Sequence, residues 1–504
     1  MKARETDAAP GEKLVGELEI GPPDRLAVGR GNAFVVAGYC YLPGSRTTAL
    51  SLELDGERVP ALHSGMPRQD VFERANAEDG ERGTGSREAF RSGFVAFVPV
   101  RPRSGTGEAE IRLVATLEDG SEVARAVAST RLDPRLEPPR GAIPAPPGPA
   151  GSRVAICMAT FNPPPELFHR QVESLREQTH GDWICLISDD GSEPELLEGL
   201  REEVRGDERF VLAANEGRLG FYNNFERALA MVPTDADFVT LCDQDDRWHP
   251  GKLERLLERM GEGVELAYSD ARVVDEGGVV VHPSYWMERR NNYTNLGSLL
   301  IANTVTGAAS LFRRGLLEDL LPFPPRLADP FHDHWLSLVA LARGRISYVD
   351  EPLYDYVQHG RAVIGHSRAN RRPVPVRERL RERLRKPGDG SRIVYFYVWS
   401  QQQLFARVLR MRCGERMTAS KRRALDRFLS VDTSLGGLAW LLGRRLRRLW
   451  GRNETLDIER YFGKALLRRR AVHLGAIGRR RPSRWLPRDE RIPPTPLRED
   501  SGGL

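Results

Sequence analysis

Three carboxylates lie within four residues at Asp243-Gln244-Asp245-Asp246. The apolar run before them predicts a buried strand, and helical spacing of apolar residues over 253–260 predicts a helix after them. Carboxylates this close repel one another, so keeping all of them ionised requires a cation or hydrogen bonds. Oxygen ligands suit Mg²⁺ or Mn²⁺, which also bind substrate phosphates. The alternative is a solvated acidic turn that caps the helix, because Asp is common in turns.

Composition narrows the class of protein. A length of 504 residues predicts about three domains. The five cysteines are scattered and odd in number, which predicts buried thiols in a reducing compartment, without a disulfide framework or a zinc site. The N-terminus has no apolar signal segment, and no run reaches the length of a membrane span. We therefore expect a cytoplasmic protein, or one bound peripherally to the cytosolic face of a membrane.

The net charge of +5 conceals an asymmetry. Residues 371–504 carry 34 Lys and Arg against 13 Asp and Glu, whereas residues 1–370 carry 41 against 57. An acidic body and a basic C-terminal region are expected to have different partners.

The N-terminal part predicts a β-sandwich over 13–132. Short apolar or alternating segments at 33–39, 50–54, 93–100 and 111–117 are typical of strands, and Asp-Gly pairs at 55–56 and 119–120 favour hairpins. A structural role is the main expectation for this domain, and carbohydrate binding is the alternative. Residues 133–152 are rich in proline and predict a semi-rigid linker.

From 153 to 370 the pattern changes to continuous apolar strands that alternate with helices. This pattern predicts an α/β domain with a mostly parallel, Rossmann-like sheet, in which ligands bind beyond the carboxyl ends of the strands. No G-x-G-x-x-G motif follows the first strand and no P-loop occurs, which argues against a dinucleotide cofactor and ATP hydrolysis. Polar residues lie at four predicted strand ends: Thr160-Phe161-Asn162, Asp189-Asp190, Asn215-Glu216-Gly217 and Asp243–Asp246.

Further motifs accompany these strand ends. The segments, in order, are 159–162, 188–192, 215–217 with 224–229, 242–246 with Trp248, Pro250 and 252–254, Asn303-Thr304-Val305-Thr306-Gly307, Asp333-His334-Trp335, and Tyr356-Val357-Gln358-His359-Gly360 followed by Gly365. Taken together, they resemble the family-2 nucleotide-sugar glycosyltransferases with the GT-A fold, and their rhamnosyltransferase-like branch in particular. The chain departs from the family pattern at two positions: His332 stands where an acidic residue is usual, and Val357 where a basic one is frequent. These departures weaken the inference about which sugar is used more than the inference of activity.

The resemblance implies transfer of a sugar, rhamnose being one candidate, from a nucleoside diphosphate to a hydroxyl of a cell-surface glycan or a lipid-linked acceptor. It also implies inversion at the sugar and dependence on Mg²⁺ or Mn²⁺. Asn215 and Asn224 either reach ligand oxygens or cap the turn. The implied nucleotide-sugar-binding residues are Thr160, Phe161, Asn162, Asp189, Asp190, Asn215, Gly217, Asn224 and Asp243.

The resemblance also assigns the catalytic, acceptor and metal residues. Asp333 is the implied general base, and its alternative role is a helix cap. Asp243 and Asp245 are the implied metal ligands, with His359 as a third contact or a histidine of the closing loop. A zinc site of His332, His334 and His359 is not expected, since no ligand quartet accompanies them. The implied acceptor-side residues are Gly307, His334 and Trp335.

Residues 371–478 predict a basic helical region, and 479–504 a disordered tail. The apolar segment 393–411 is expected to pack on the catalytic domain or on a partner. Farther on, leucines at 435, 438, 442, 446 and 449 with Trp450 form one helical stripe, opposite arginines at 444, 447 and 448. This pattern favours an interfacial helix on an anionic membrane, with a docked surface helix as the alternative. Nucleic-acid binding is not expected, because no recognised motif accompanies the charge.

Two other functions fit parts of the pattern. A non-catalytic sugar-binding scaffold would share the fold, but the intact Asp243 and Asp245 argue against it. A nucleotidyltransferase would share the parallel sheet and the acidic site. It would need a phosphate-binding loop after the first strand, where Asn162-Pro163-Pro164-Pro165 stands instead.

Overall fold

The computed structural model describes residues 14–78, 87–137, 152–286, 291–327, 330–359, 389–450, 454–455, 457–476 and 491–494. Most of the predicted linker, Gly360 and Gly365, and nearly all of the predicted tail lie outside these residues. Among the described residues no helix combines the length and hydrophobicity that a membrane span requires.

The N-terminal region is the predicted β-sandwich. One sheet has the order β1-β3-β7-β6 and the other β2-β9-β8-β4-β5. Apolar side chains from both sheets, such as Phe34, Phe94 and Ile111, fill the space between them. Its elements are β1 (Val15–Ile20), β2 (Arg25–Ala27), β3 (Asn32–Tyr41), β4 (Thr47–Leu54), β5 (Glu57–Pro60), β6 (His63–Met66), α1 (Gln69–Glu78), a 3₁₀ turn (Arg87–Arg91), β7 (Gly93–Val100), β8 (Gly107–Leu117) and β9 (Glu122–Asp133).

The second region alternates strands and helices, as the sequence predicts. Proline occupies the first turn of both α2 and α3, where its missing N–H is tolerated. Its elements are β10 (Val154–Thr160), α2 (Pro165–Arg176), β11 (Trp183–Asp189), α3 (Pro194–Val204), β12 (Phe210–Ala214), α4 (Phe221–Ala230), β13 (Phe238–Cys242), β14 (Arg247–Trp248), α5 (Lys252–Leu257), β15 (Val264–Asp275), β16 (Val280–His282), α6 (Leu296–Leu299), β17 (Ser310–Arg313), α7 (Leu317–Leu320), α8 (His332–Arg343) and β18 (Arg345–Gln358).

The sheet of this region is parallel in one half and mixed in the other. Its order is β12-β11-β10-β13-β17-β15-β18-β14, with β16 beside β15. Strands β12, β11, β10 and β13 are mutually parallel, whereas β17 is antiparallel to both of its neighbours. The prediction of a mostly parallel sheet therefore holds for the half that carries the first polar strand ends. The motif at 303–307 forms a loop and the start of a 3₁₀ turn that precede β17.

The C-terminal helices and the sandwich pack on the α/β region through one continuous core. Apolar residues on the outer face of the β3–β7 sheet, such as Val35 and Phe97, belong to the same cluster as residues of α8 and α10. The predicted packing of 393–411 on the catalytic domain is therefore confirmed. The helical elements are α9 (Asp389–Ile393), a π-helical segment (Val394–Trp399), α10 (Ser400–Cys413), α11 (Ala419–Leu429), α12 (Leu435–Gly443), a 3₁₀ helix (Arg444–Trp450) and α13 (Ile458–Ala476).

Arg412 of α10 joins all three regions. Its guanidinium donates hydrogen bonds to the carbonyl oxygens of Gly31 (2.7 Å), Asp319 (3.0 Å) and Pro322 (2.7 Å). It also lies 5.7 Å from the ring centroid of Trp335. Burial lowers the pKa of Arg412 to about 10. The side chain is thus a buried connector between the sandwich, the α/β region and the helices.

Replacing this connector should destabilise the whole chain. We expect Arg412→Ala to lower the free energy of unfolding by about 2–4 kcal/mol, because several buried carbonyl groups lose their donor. Arg410→Ala is the matched control on the same helix. Arg410 is 44% exposed and pairs with Asp426, so its loss should cost only about 0.2–1 kcal/mol. Urea unfolding followed by circular dichroism measures both, and equal losses would contradict the assignment.

Candidate active site

Strand register brings the predicted polar residues to one edge of the sheet. Thr160 at the end of β10 is paired with Asp189 at the end of β11, and Asp189 with Ala214 at the end of β12. Met158 is paired with Cys242, so the acidic turn that follows β13 begins at the same edge. The carboxyl ends of these four strands therefore surround one site.

Asp189 is held inside the turn that follows β11. Its carboxylate accepts hydrogen bonds from the hydroxyl of Thr160 (2.9 Å) and from the hydroxyl and backbone N–H of Ser192 (2.6 and 2.9 Å). The side chain has no exposed surface. The structure thus gives Asp189 and Thr160 a role in shaping the turn, and a hydrogen bond from Asp189 to a nucleotide base stays a prediction.

Asp190 anchors the loop that follows β12. Its carboxylate accepts from the backbone N–H groups of Leu219 (2.6 Å) and Gly220 (2.8 Å). Burial raises the pKa of Asp190, and these two N–H groups oppose the rise. The loop carries Gly217, which has open space around it, and Arg218, whose guanidinium lies 3.8 Å from the ring centroid of Phe161. The loop therefore covers the end of β10.

Asn224 is committed to the protein interior. Its amide nitrogen donates to the carbonyl oxygens of Thr160 (3.1 Å) and Ser188 (2.9 Å), and its oxygen accepts from the Ser188 hydroxyl (2.7 Å) and the Asn215 amide (3.1 Å). All of its hydrogen-bonding capacity is used. The expectation that Asn224 binds the nucleotide sugar is therefore replaced by a structural role, whereas Asn215 lies half-buried at the rim.

Gln244, the middle residue of the acidic motif, links two strand ends and was missed by sequence reasoning. Its side-chain oxygen accepts from the backbone N–H of Phe161 (2.8 Å), and its nitrogen donates to the Phe161 carbonyl (3.3 Å). Asn162, in a left-handed conformation with φ 42°, accepts from the N–H of Glu193 and so stabilises the start of α3. The nucleotide-binding role of Asn162 stays a prediction.

The acidic turn concentrates negative charge beside a buried lysine. Burial, followed by the charges of Asp245 and Asp333, raises the pKa of Asp243. Burial, followed by the charges of Asp243 and Asp245, raises the pKa of Asp246. Lys252 is fully buried under the turn, with Nζ 3.2 Å from the ring centroid of Trp248, and burial lowers its pKa to about 7. One lysine cannot balance three carboxylates, so the turn favours a further cation.

The donor atoms of this turn suit a divalent cation. Nε2 of His359 lies 2.8 Å from Oδ2 of Asp245, and octahedral ligands around one ion lie about 3 Å apart. Asp243 offers a further oxygen ligand of the right chemistry. Its carboxylate does not form, with Asp245 and His359, a trio of ligand atoms within 4.8 Å of one another, so it would have to turn toward a bound ion. Asp246 accepts from the N–H of Val357 (3.2 Å), so it holds the turn to the end of β18 and does not cap α5.

Among the described residues, the one trio of His, Cys, Asp or Glu side chains with closely spaced ligand atoms lies on the surface. His169, Glu173 and Glu203 bring three ligand atoms within 4.8 Å of one another. Arg176 forms ion pairs with both glutamates, at 2.6 and 3.2 Å. Because this arginine already compensates the negative charge, we interpret the group as a surface ion-pair cluster.

Asp333 lies in the first turn of α8, close enough to Asp243 to raise its pKa. The side-chain amide of Asn303 donates to Oδ1 of Asp333 (3.1 Å), while its oxygen accepts from the N–H of Val305 (2.9 Å). The N-cap position belongs to Phe331, so Asp333 is not the helix cap. Asn303 is a positioning residue whose role the sequence motif did not indicate.

Gly307 and His332 fix the surroundings of Asp333. A Cβ atom at Gly307 would lie 2.9 Å from Nε2 of His332 and 3.5 Å from Cβ of Asp333. The imidazole of His332 stacks on Phe225 with centroids 3.9 Å apart, and burial lowers the pKa of His332 to about 3. A neutral packed imidazole therefore occupies the position before Asp333, where the resemblance leads one to expect an acidic residue.

Two predicted acceptor-side residues lie elsewhere. Nε2 of His334 donates to the carbonyl of Leu299 (2.6 Å), and its ring meets Phe405 of α10 edge-on. Trp335 is fully buried and donates from Nε1 to the carbonyl of Leu320 (2.9 Å). The prediction that they line the acceptor site is therefore wrong, because helical geometry turns both toward the core when Asp333 faces the turn.

A cavity of about 850 Å³ lies between the sandwich and the α/β region. It is lined by residues of β2, of the 214–219 loop, of α4 and of the segment 322–326. Asp243, Asp245 and Asp333 do not line it. The acidic residues therefore favour the strand-end site over this cavity as the candidate active site. The loop after β12 borders both the cavity and the strand-end site.

A model of the glycosyl transferase family 2 matches residues 155–321. This part of the chain belongs to that family. The resemblance to family-2 glycosyltransferases with the GT-A fold is therefore confirmed for these residues, whereas the rhamnosyltransferase-like branch stays a prediction. The match ends before Asp333 and His359, so their roles are proposals.

Individual relatives and solved structures are also similar to parts of this chain. An uncharacterized glycosyltransferase of Methanocaldococcus jannaschii is 26% identical over 191 residues, which is 37% of this chain and 64% of the relative. The GalNAc(5)-diNAcBac-PP-undecaprenol beta-1,3-glucosyltransferase of Campylobacter jejuni is 23% identical over 171 residues, 33% of this chain and 53% of the relative. The chain thus spans less than two thirds of either. Residues 1–349 of S. aureus TarS align with TM-score 0.39 and 14% identity, covering 63% of this chain and 91% of TarS.

Gly307→Ala tests the close packing around Asp333. The added methyl group overpacks the contact with His332, so the free energy of unfolding should fall by about 1–3 kcal/mol. Gly315→Ala is the control, because no atom lies within 4 Å of a Cβ there, and it should change stability by less than about 0.5 kcal/mol. Chemical denaturation measures both, and equal stability of the two variants would contradict the predicted clash.

Proposed function

We propose that the domain spanning 153–370 binds a nucleoside-diphosphate sugar and transfers its sugar, with inversion, to a hydroxyl of a glycan or lipid-linked acceptor. The observation that carries the proposal is the proximity of Asp333 to the Asp243–Asp246 turn. A general base and a diphosphate-binding site must flank the reacting carbon from opposite sides. The charge of Asp333 acting on Asp243 supports that arrangement.

The nucleotide base of the sugar donor would lie between the end of β10 and the loop after β12. Phe161, Gly217 and Arg218 present their surfaces there, and the Arg218–Phe161 contact supports a base packed against both. Asp189, Asp190 and Asn224 would act indirectly, because their hydrogen bonds hold the two loops that form the walls. A panel of nucleoside diphosphates, tested for binding, identifies the base.

Asp243, Asp245 and His359 would hold Mn²⁺ or Mg²⁺ together with the diphosphate. The bound ion would supply Lewis acidity that stabilises the leaving diphosphate. Lys252 balances part of the negative charge of the turn from beneath. Asp246, which accepts a hydrogen bond from the backbone of β18, would hold the turn against this strand, and His359 follows directly after it.

Asp333 would accept the proton of the acceptor hydroxyl as the oxygen attacks the anomeric carbon. The new carbon–oxygen bond forms on the face opposite the diphosphate, whose bond to the sugar breaks, so the configuration inverts. Asn303 would hold the carboxylate in place through its hydrogen bond to Oδ1. General-base catalysis of this kind typically contributes about 10²–10⁴ in rate.

The acceptor would be part of a growing cell-surface glycan at the cytosolic face of a membrane. The name of the Campylobacter relative describes transfer to an undecaprenol-linked glycan. Another relative, from Rhizobium meliloti, is named a succinoglycan biosynthesis protein. These names support a lipid-linked or polysaccharide acceptor. Rhamnose is the candidate sugar on the strength of the motif Tyr356-Val357-Gln358-His359-Gly360, followed by Gly365.

Asp333→Asn tests the proposed base. We expect transfer to fall by about 10²–10⁴ while nucleotide-sugar binding is retained, because the amide cannot accept the proton but keeps the shape of the side chain. Glu195→Gln is the matched control, an exposed acidic residue in the first turn of α3. Release of nucleoside diphosphate measures transfer, and calorimetry measures binding. Wild-type turnover in the Asn variant would remove Asp333 from the mechanism.

The metal site is tested by ligand protection against thermal unfolding. A nucleoside diphosphate at about 100 times its Kd with Mn²⁺ should stabilise the folded state by about 2.7 kcal/mol. Asp245→Asn should lose the Mn²⁺-dependent part of this protection. His169→Gln, which disrupts the surface cluster of His169, Glu173 and Glu203, should retain it. If no nucleoside diphosphate raises the unfolding midpoint of the wild-type protein, donor binding is refuted.

A further inference from the structure

The exposed large apolar side chains of the described residues are concentrated in the C-terminal helices. Leu449 is 78% exposed and Trp450 is 71% exposed. These two large apolar side chains therefore lie almost entirely in solvent. Seven such side chains fall within 40 residues of sequence: Leu435, Leu446, Leu449, Trp450, Tyr461, Leu467 and Leu474.

Helix α12 packs its apolar face on the protein, whereas its first residue and the 3₁₀ helix after it expose apolar side chains. Leu438 and Leu441 are buried against the protein, and Leu442 packs on Gly463 of α13. Leu435, the first residue of α12, is exposed, and residues three apart in a 3₁₀ helix align, as the exposed Leu446 and Leu449 do. The single stripe predicted from the sequence is therefore divided between a buried face and an exposed one.

Helix α13 repeats this arrangement with positive charge added. Phe462 and Leu466 are buried, whereas Tyr461, Leu467 and Leu474 are exposed. Arg460 and Lys464 are exposed on the same side of the helix, by their spacing from Tyr461 and Leu467. A helix that is docked on a protein core needs one apolar face only, so the second face requires a different partner.

We propose that these exposed faces of α12, the 3₁₀ helix and α13, here named the docking surface, bind an anionic lipid bilayer. Leucine, tryptophan and tyrosine interleaved with Arg and Lys are typical of helices that lie in the membrane interface. Arg460 and Lys464 have no ion-pair partner among the described residues, whereas Arg445 and Arg447 pair with Asp457 and Glu454. Two cations are therefore available for anionic headgroups.

The biological role of this membrane binding rests on the proposed function, because a lipid-linked acceptor presents its hydroxyl at the membrane surface. Binding itself can be measured without any transfer. A second copy of the chain or another protein could cover the same apolar surface, but the unpaired cations favour an anionic surface.

The test uses the full-length protein and sedimentation with vesicles. One set contains phosphatidylcholine alone, and the other contains about 30% phosphatidylglycerol. We expect binding to the anionic vesicles that weakens as salt rises, because surface charges are screened within about 10 Å at 0.1 M salt. No binding of the wild-type protein to either set of vesicles would overturn the proposal.

Two variants separate the apolar and electrostatic contributions. Leu446→Ser/Leu449→Ser/Trp450→Ser should weaken vesicle binding at least about tenfold. Arg460→Glu/Lys464→Glu should weaken binding about tenfold on anionic vesicles only. The controls are Val279→Ser/Val280→Ser/Val281→Ser, which removes exposed apolar residues elsewhere, and Arg201→Glu/Arg205→Glu at the C-terminal end of α3. Both controls should bind like the wild-type protein, and equal loss in variants and controls would refute a specific surface.

Two further readouts keep the outcomes distinct. All four variants should retain protection by nucleoside diphosphate and Mn²⁺. If the wild-type protein shows no such protection, the proposed function is refuted, whereas vesicle binding is measured independently. Sedimentation velocity tests the alternative partner. A dimer that the triple Ser variant abolishes, without vesicle binding by the wild-type protein, would assign the surface to a second copy and overturn the lipid proposal.

Discussion

The collection of carboxylates at the end of β13 is the constraint around which the α/β region is arranged. Asp243, Asp245 and Asp246 lie in one turn, and Asp333 approaches from α8. Like charges in a partly buried site raise one another's pKa and weaken the fold unless positive charge is supplied. Lys252 provides one charge from within the protein, and a divalent cation with its diphosphate ligand would complete the balance. The mutual repulsion of these carboxylates would therefore also be the source of the affinity of the turn for the proposed cation.

Many polar side chains at the site hold the protein together and do not face a ligand. Asp190 fixes the loop after β12, Gln244 joins the ends of β10 and β13, and Asn224 binds the backbone of two strands. Each such bond removes a degree of freedom from a loop that would otherwise be mobile. Loops that are already held in place need no reorganisation free energy when a substrate reacts. This requirement for fixed loops explains why so many residues of the motifs are buried.

The accessory regions are structurally inseparable from the α/β region. The outer face of the β3–β7 sheet is apolar and packs on α10, and Arg412 hydrogen-bonds to carbonyl groups of two regions. The Pro-rich segment suggested a spaced, independent module, but an apolar sheet face must be covered. The sandwich and the helices therefore share one core with the family-2 domain, and the helices leave their outer faces to the docking surface.

The sequence by itself determined the strand–helix alternation, the positions of the strand ends and the acidic turn. Continuous apolar strands and turn residues are local signals, and the register of parallel strands follows from them. Only the tertiary structure decided which polar residues meet. Asn303 reaches Asp333 across 30 residues, Gln244 reaches Phe161 across 83, and Asp246 reaches Val357 across 111. No local pattern encodes such partners, because they depend on how the elements pack. The same limit explains why His334 and Trp335, adjacent to Asp333 in sequence, belong to the core.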